Sequence, residues 1–151
     1  MKIINLGEKN SLLNRYIAEI RDVVIQKDSM RFRRNLERIG EIFAYEISKT
    51  LTYSPKEVET PLGIANCNLS NDKIVLSTIL RAGLPLHQGL LNYFDKAENS
   101  FIAAYRKYGK DNKFTIQLEY ASTPSVENKI VIISDPMLAT GASAVLAYDR
   151  L

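Results

Sequence analysis

The chain has 151 residues, of which 46% are hydrophobic and 25% charged, as in an ordinary globular protein with one domain and its own core. Its 20 basic and 17 acidic residues give a net charge of +3, too near balance to indicate a nucleic-acid-binding protein. The single Cys67 excludes an internal disulfide and a cysteine zinc site, and without a membrane-length apolar run or a signal-peptide core we expect a cytoplasmic protein without membrane association.

Two amphipathic helices are predicted near the N-terminus. Ser11 suits the N-cap of the first, and its apolar residues at helical spacing are Leu13, Tyr16, Ile17, Ile20, Val23 and Val24. The second begins at Asp28 or Ser29, and its apolar face holds Phe32, Leu36, Ile39, Phe43 and Ile47. Three arginines at its start, Arg31, Arg33 and Arg34, are interpreted as a solvated or subunit-facing helix end rather than a nucleic-acid patch, because the overall charge is near neutral.

The middle of the chain alternates between strand and helix signals. A short hairpin is predicted at 58–63, with its turn near Pro61 and Gly63. The β-branched run 73–80 predicts a buried strand, followed by a helix over about 85–93 that Pro85 can start. A short strand is predicted at 101–105, and the polar segment 107–125 is predicted to be a mobile β-hairpin.

The last part of the chain predicts a strand, a loop and a helix. The apolar run 130–133 ends in Ser134 and Asp135, and a helix is expected from about Ser143 to the last residue. Strands alternating with helices predict an α/β fold, with a mostly parallel sheet flanked by helices, N-terminal helices and a β-hairpin.

Charged residues follow three of the predicted strands, and ligands of such sheets bind beyond the carboxyl ends of the strands. Arg81 and Arg106 each follow a strand and supply guanidinium groups that suit diphosphate oxygens, while Gly83 permits close approach or an unusual dihedral angle. Asp135 can accept hydrogen bonds from sugar hydroxyls, and the loop with Thr140, Gly141 and Ser143 can hold a phosphate at a helix start. The pattern predicts a sugar phosphate site, although such residues also serve as ordinary turn and cap residues.

Two short segments of the sequence favour the sugar phosphate site over ordinary turn and cap residues. Residues 135–143, DPMLATGAS, closely resemble the motif with which uracil phosphoribosyltransferases bind phosphoribosyl diphosphate (PRPP), including its single acid. ILRAGL, at 79–84, resembles the diphosphate-contacting loop of the same family, and Arg106 matches its second diphosphate-binding arginine. The chain departs from the family at Ala142, where a second glycine is usual, and we expect this to be tolerated if its φ is negative.

The resemblance implies a type I phosphoribosyltransferase with a Rossmann-like core that transfers the phosphoribosyl group of PRPP to uracil, forming uridine monophosphate (UMP) and diphosphate in pyrimidine salvage. This is a glycosyltransferase reaction, specifically pentosyl transfer. Arg81, Arg106 and Asp135 are its expected catalytic residues. The expected PRPP-binding residues are Arg81, Ala82, Gly83, Arg106, Asp135, Pro136, Met137, Leu138, Ala139, Thr140, Gly141, Ala142 and Ser143. Mg²⁺ is expected to come with the diphosphate, without a direct protein ligand, and a homo-oligomer is expected.

The resemblance also implies that residues 1–151 form a single phosphoribosyltransferase domain that is incomplete at its C-terminus, because the family reads uracil with a later loop. The activity of this stretch alone is therefore an open question. The alternatives are a non-catalytic PRPP- or nucleotide-binding module, an inactive fragment, and a regulatory relative that binds RNA. The single-acid motif and the modest net charge count against the last.

Three further expectations concern single residues. His87, without a second histidine to share a metal, is interpreted as structural or on the surface. Cys67 is interpreted as an incidental thiol, because no basic partner is near it in sequence. A strained or cis peptide bond is expected next to Arg81, since backbone strain concentrates at such sites.

Overall fold

The computed structural model describes the backbone of residues 2–108 and 114–151, and the side chains of 2–103 and 119–151. Short 3₁₀ turns lie at Leu6–Glu8 and Ile25–Lys27. In chain order the helices and strands are α1 Leu12–Arg21, α2 Ser29–Ser48, β1 Tyr53–Thr60, β2 Gly63–Ser70, β3 Ile74–Leu80, α3 Leu84–Leu91, β4 Glu98–Tyr108, β5 Phe114–Ser122, β6 Ile130–Ser134 and α4 Ala142–Tyr148. No helix in the described part of the chain is long and apolar enough to span a membrane.

The main sheet has four strands in the order β5-β4-β3-β6. Strand β3 lies between β4 and β6 and pairs in parallel with both, whereas β5 is antiparallel to β4. Residues 75–79 of β3 are all buried, as expected for the central strand of a sheet covered on both faces. The predicted α/β fold with a mostly parallel sheet is confirmed.

Two helices pack on one face of the sheet, and glycines set their distance. A Cβ atom on Gly89 of α3 would overlap the carbonyl oxygen of Glu37 in α2, and one on Gly40 would lie 3.1 Å from the Cα of Gly89. The two backbones therefore touch, and Leu90 of α3 can pack with Leu76 of β3. This contact fixes α3, whose first residue directly follows the loop at Arg81–Gly83.

Helix α4 packs on the opposite face, where Ala147 forms a cluster with Ile79 and Ile102. It begins at Ala142, close to the predicted start, but it ends at Tyr148, so the expectation that it continues to the last residue is wrong. Both sheet faces are thus covered by helices, as the strand and helix alternation predicted.

The N-terminal helices follow the sequence signals with one correction. The Ser11 hydroxyl accepts a hydrogen bond from the Leu13 amide, and Asp28 caps α2, so both predicted starts are confirmed. Val23 and Val24 were predicted to be on the apolar face of α1, but they lie beyond its end and are about 70% exposed. The helix stops because the Asp22 carboxylate accepts hydrogen bonds from the amides of Val24 and Ile25, which starts a new turn.

Two of the three arginines at the start of α2 pair with acidic side chains. Arg34 pairs with Glu37 at 2.6 Å, and Arg31 lies 3.5 Å from Glu19. Hydrogen bonds from Asn35 and Arg15 lower the pKa of Glu19 to about 2. The geometry agrees with a solvated, ion-paired helix end.

The predicted short hairpin is longer than expected. Strands β1 and β2 each have 8 residues and pair along their whole length, from Tyr53 with Ser70 to Thr60 with Gly63. At the turn the Thr60 hydroxyl donates to the Gly63 carbonyl at 2.6 Å, and Gly63 has a φ of 127° that L residues rarely adopt. The Leu62 side chain at the tip is fully exposed.

Candidate active site

The ends of β3 and β6 meet at one edge of the sheet. Their ladder closes with the pair Thr78 and Ser134, after which β6 leads directly into Asp135 and β3 leads through Leu80 into Arg81. Because the two strands are parallel neighbours, the loops that follow them leave the sheet on the same side. Arg81 is exposed and Asp135 is half-buried, so the structure brings these two predicted residues to one edge.

Arg106 does not lie just after its strand, where the sequence predicted it. It was expected just after a strand at 101–105, but β4 continues through Arg106 to Tyr108 because it pairs with β5, and Arg106 is opposite Ile116. The parallel pairing of β4 with β3 ends earlier, at Ala103. Arg106 therefore lies on the extension of β4 beyond the sheet edge, and its side chain is outside the described residues, as is the tip of the hairpin predicted at 107–125.

The loop after β3 is held by close packing. The Gly83 amide donates to the Ile79 carbonyl at 3.1 Å, and the Leu84 amide donates to the Arg81 carbonyl at 3.3 Å. A Cβ atom on Gly83 would overlap the Thr78 hydroxyl and lie 2.7 Å from the Ile79 carbonyl. Gly83 has an ordinary φ of −71°, so of the two uses considered for it, close approach is the one observed. The peptide bond between Leu80 and Arg81 is cis, as expected next to this arginine.

The loop after β6 is shaped by its own hydrogen bonds. The Met137 amide donates to Asp135 Oδ1 at 3.1 Å, and the Gly141 amide donates to the Leu138 carbonyl at 2.7 Å. Ala139 has a φ of 47° and Gly141 a φ of 78°. Residues 137–140 are exposed, and Pro136 and Ser143 are partly exposed. This loop therefore lies open at the sheet edge, and it carries the Thr140 and Ser143 hydroxyls.

Residue 142 fits this geometry. Ala142 is the first residue of α4 and has a negative φ, so its methyl group costs no backbone strain, in agreement with the expectation for this position. Its amide lies 3.4 Å from the Thr140 hydroxyl oxygen, which accepts its hydrogen bond.

Similarity to known proteins decides the family. A model of the uracil phosphoribosyltransferase family matches residues 8–151. The chain is 58% identical to the uracil phosphoribosyltransferase of Porphyromonas gingivalis over all 151 residues, which cover 70% of that relative. The chain belongs to the uracil phosphoribosyltransferase family.

Other relatives agree with this family assignment. The uracil phosphoribosyltransferase of Methanothermobacter thermautotrophicus is 41% identical over 126 residues, which are 82% of this chain and 58% of that relative. A solved structure of the AQ2163 protein from Aquifex aeolicus matches with a TM-score of 0.79 and 30% identity, over 94% of this chain and 66% of that one. The predicted family, the enzyme class and transfer of a phosphoribosyl group from PRPP to uracil are confirmed by the named relatives.

The sequence interpretation missed a pair of buried hydroxyls beneath the two loops of this phosphoribosyltransferase. The Ser134 hydroxyl donates to Thr78 Oγ1 at 2.9 Å, and the Thr78 hydroxyl lies 3.3 Å from the Ser134 carbonyl, to which it donates. Both side chains are buried, with exposed fractions of 0% for Thr78 and 4% for Ser134. The available signal was the hydroxyl residues within two mainly apolar strands, Ser77 and Thr78 in β3 and Ser134 in β6, since a buried hydroxyl needs a partner.

His87 and Cys67 lie outside the loops at the edge. His87 is buried in α3, where its Nε2 is 2.8 Å from Asn99 Oδ1 and its ring packs against Phe101. Burial lowers the pKa of His87, and the hydrogen bond to Asn99 opposes this only in part. Cys67 is a free, partly exposed thiol on β2. These positions agree with a structural histidine and an incidental cysteine.

Proposed function

We propose that the edge formed by the ends of β3 and β6 is the PRPP site of this uracil phosphoribosyltransferase-family chain. The observation that carries the proposal is the ladder pair Thr78 and Ser134, from which one loop leads to Arg81 and the other to Asp135. A sugar with a phosphate group at each end needs one anion-binding group for each end and, between them, a group that binds the sugar hydroxyls. The two loops supply these in order.

The loop at Arg81 is assigned to the diphosphate. Arg81 offers a planar set of N–H donors suited to paired phosphate oxygens, and the exposed position leaves them open to solvent and ligand. Arg106 is assigned to the same group, because its backbone lies on the extension of β4 beyond this edge. Two guanidinium groups bound to the diphosphate would stabilise the negative charge that grows on it as it leaves.

Asp135 is assigned to the ribose hydroxyls. Its Oδ1 accepts the Met137 amide, which orients the carboxylate, and Oδ2 can accept a hydrogen bond from the sugar. In the reaction the bond from C1 of ribose to diphosphate breaks, a ring nitrogen of uracil bonds to C1, and the proton of that nitrogen passes to the departing diphosphate or to solvent. Positive charge develops on the ribose ring, and a nearby carboxylate stabilises it.

Residues 139–143 are assigned to the 5-phosphate. Gly141 and Ala139 adopt left-handed backbone conformations that turn the loop over a short distance, and the hydroxyls of Thr140 and Ser143 are within it. Successive amides in such a turn form a concave anion site. Met137 and Leu138, at 75% and 65% exposed, are available to pack against the sugar and the base.

Magnesium is expected to bind with the PRPP diphosphate, where it would neutralise charge on the leaving group. The described residues contain no group of three or more histidine, cysteine or carboxylate side chains that could hold a metal alone. Mg²⁺ usually keeps several waters and binds through substrate phosphates, so it needs no cluster of protein ligands here. The residues present therefore fit an ion held mainly by substrate.

The proposal is tested by titrating PRPP with Mg²⁺ into the protein and by measuring uracil-dependent release of diphosphate. Arg81→Ala and Arg106→Ala should each weaken PRPP binding strongly, whereas Arg33→Ala, an exposed arginine on α2, should leave it unchanged. PRPP binding without turnover would favour the alternative, a non-catalytic binding module. Wild-type affinity in both site variants would contradict the proposed site.

A homo-oligomer in the cytoplasm is the proposed setting. The hairpin β1–β2 contacts itself far more than the rest of the described structure, and a two-stranded hairpin alone is marginal in water. Its tip exposes Leu62 fully and Ile64 at 71%, which favours packing against a second copy. Light scattering should give a dimer or larger species that dissociates in Leu62→Lys/Ile64→Lys; a wild-type monomer would contradict this.

A further inference from the structure

A pair of buried hydroxyls lies at the last rung between β3 and β6. Thr78 and Ser134 are the final paired residues of these strands, and beyond them the two chains separate into the Arg81 loop and the Asp135 loop. The Ser134 hydroxyl donates to Thr78 Oγ1 at 2.9 Å, and the Thr78 hydroxyl donates to the Ser134 carbonyl at 3.3 Å. Side chains thus join the strands where the backbone ladder stops.

The Arg81 loop rests on this pair. Gly83 folds back until the space for a Cβ atom is taken by Thr78 Oγ1, the Ile79 carbonyl and, at 3.3 Å, the Ser134 carbonyl. The loop after β3 therefore touches both residues of the last rung, one from each strand. Any change in the spacing of the rung moves the Arg81 loop relative to Asp135, which follows Ser134 directly.

The choice of hydroxyl residues has a cost that packing alone does not explain. The buried positions of β3 are apolar except for Thr78 and Ser77, whose hydroxyl bonds Ser100 on β4. A buried hydroxyl stabilises little over an apolar side chain even when bonded, and it destabilises when its partner is removed. The pair adds geometric specificity, because its two hydrogen bonds hold the strands at a defined separation.

We propose that Thr78 and Ser134 are positioning residues for phosphoribosyl transfer, setting the distance between the diphosphate-binding loop and the ribose-binding loop. This inference rests on the proposed function, because it concerns the same PRPP site. One molecule must reach both loops at once, so an error in their spacing weakens binding of the whole substrate more than binding of either end. A displacement near 1 Å can cost on the order of 100-fold in rate in enzyme sites.

The test compares whole substrate with its parts. PRPP, inorganic diphosphate and ribose 5-phosphate, each with Mg²⁺, are titrated into wild type, Thr78→Val, Thr78→Ser and Ser134→Ala. We expect Thr78→Val to weaken PRPP about 10-fold while each fragment changes by less than about 2-fold, because each loop stays intact. Thr78→Ser keeps the hydroxyl and should restore PRPP affinity. Ser134→Ala keeps the Thr78 bond to the Ser134 carbonyl and should give a smaller loss.

The chain offers a matched control. Ser100 on β4 is fully buried, and its hydroxyl is 3.1 Å from that of Ser77, the residue before Thr78 in β3. Ser100→Ala removes an equally buried hydroxyl away from the last rung, together with its bonds to Ser77 and, at 2.8 Å, to Thr123. It should therefore lower stability to urea without changing PRPP affinity.

The outcomes separate the two claims. Unchanged PRPP affinity in Thr78→Val, or an equal loss in Ser100→Ala, would overturn the positioning role while leaving the PRPP site standing. A parallel loss of diphosphate and PRPP binding would also overturn it, since it would show a damaged loop. If Thr78→Val does not fold, Ser134→Ala carries the test with the same criteria. A wild-type protein that binds no PRPP would overturn the proposed function and this role with it.

Discussion

The loops after β3 and β6 follow neighbouring strands of one sheet, yet they are held in different ways. The Arg81 loop is packed: Gly83 is buried against Thr78, Ile79 and Ser134, and α3 follows at once and rests on α2. The Asp135 loop is open: residues 137–140 are exposed, and its shape depends on its own hydrogen bonds and on two positive φ angles. Tertiary contacts thus fix one of the two proposed anion-binding loops in advance, while local turn geometry shapes the other.

The largest expected effect separates chemistry from folding in the open loop. Asp135→Asn keeps an Oδ1 that can accept the Met137 amide, so the turn should survive. It removes the negative charge that stabilises the developing ring charge, and turnover to UMP should fall about 100- to 1,000-fold. Asp149→Asn, an exposed acid just after α4, is the control and should keep full turnover. Wild-type turnover in Asp135→Asn would reduce Asp135 to a turn residue.

The packed loop should respond to added volume. Gly83→Ala places a methyl group where Thr78 Oγ1 and the Ile79 carbonyl already lie, so it should cost about 1–3 kcal/mol of unfolding free energy and weaken PRPP binding. Urea denaturation and PRPP titration measure the two effects. Normal stability together with normal PRPP affinity would show that the loop is less constrained than the structure indicates.

The open loop should respond to backbone strain instead. Gly141 has a φ of 78°, and the nearest atom to a Cβ there is a Leu138 methyl at 4.0 Å, so space is available. Gly141→Ala should cost about 1–2 kcal/mol, the usual penalty for a left-handed conformation, and Gly141→Asn should cost less because asparagine tolerates it. The same asparagine at Gly83 should be as harmful as alanine. Equal effects of asparagine at both positions would remove the distinction between the loops.

The smallest expected effect is the pH dependence of stability, and it concerns His87, which contacts the packed Arg81 loop. The His87 amide donates to the Gly83 carbonyl at 2.9 Å, and burial lowers the pKa of its ring from 6.5. His87 therefore takes up a proton at a higher pH in the unfolded state than in the folded state. Its contribution to stability is full above pH 6.5 and is lost as the pH falls below that value. His87→Gln should show a shallower loss of urea resistance between about pH 7.5 and 5.5. Identical pH profiles would exclude His87 as the source.

The sequence was sufficient where a local signal and the final structure agree. The β-branched run of β3, the N-caps Ser11 and Asp28 and the acid after β6 are each readable within a few residues, and all lie as predicted. The neighbouring placement of the Arg81 and Asp135 loops followed from the rule that parallel strands end at one edge.

The errors and omissions come from tertiary structure. Val23 and Val24 continue the apolar period of α1, but Asp22 captures their backbone and ends the helix. Strand β4 runs past Arg106 only because β5 pairs with it. The contact of Gly40 with Gly89 joins distant residues, and no local pattern marks it.

A crystal structure of the protein with PRPP and Mg²⁺ is the most direct test of the shared edge. We expect the diphosphate at Arg81, the ribose hydroxyls at Asp135 and the 5-phosphate within 139–143, all on one substrate molecule. Substrate bound elsewhere, for example in the groove between α1 and the end of α2 lined by Ile17, Phe43 and Ile47, would contradict the account.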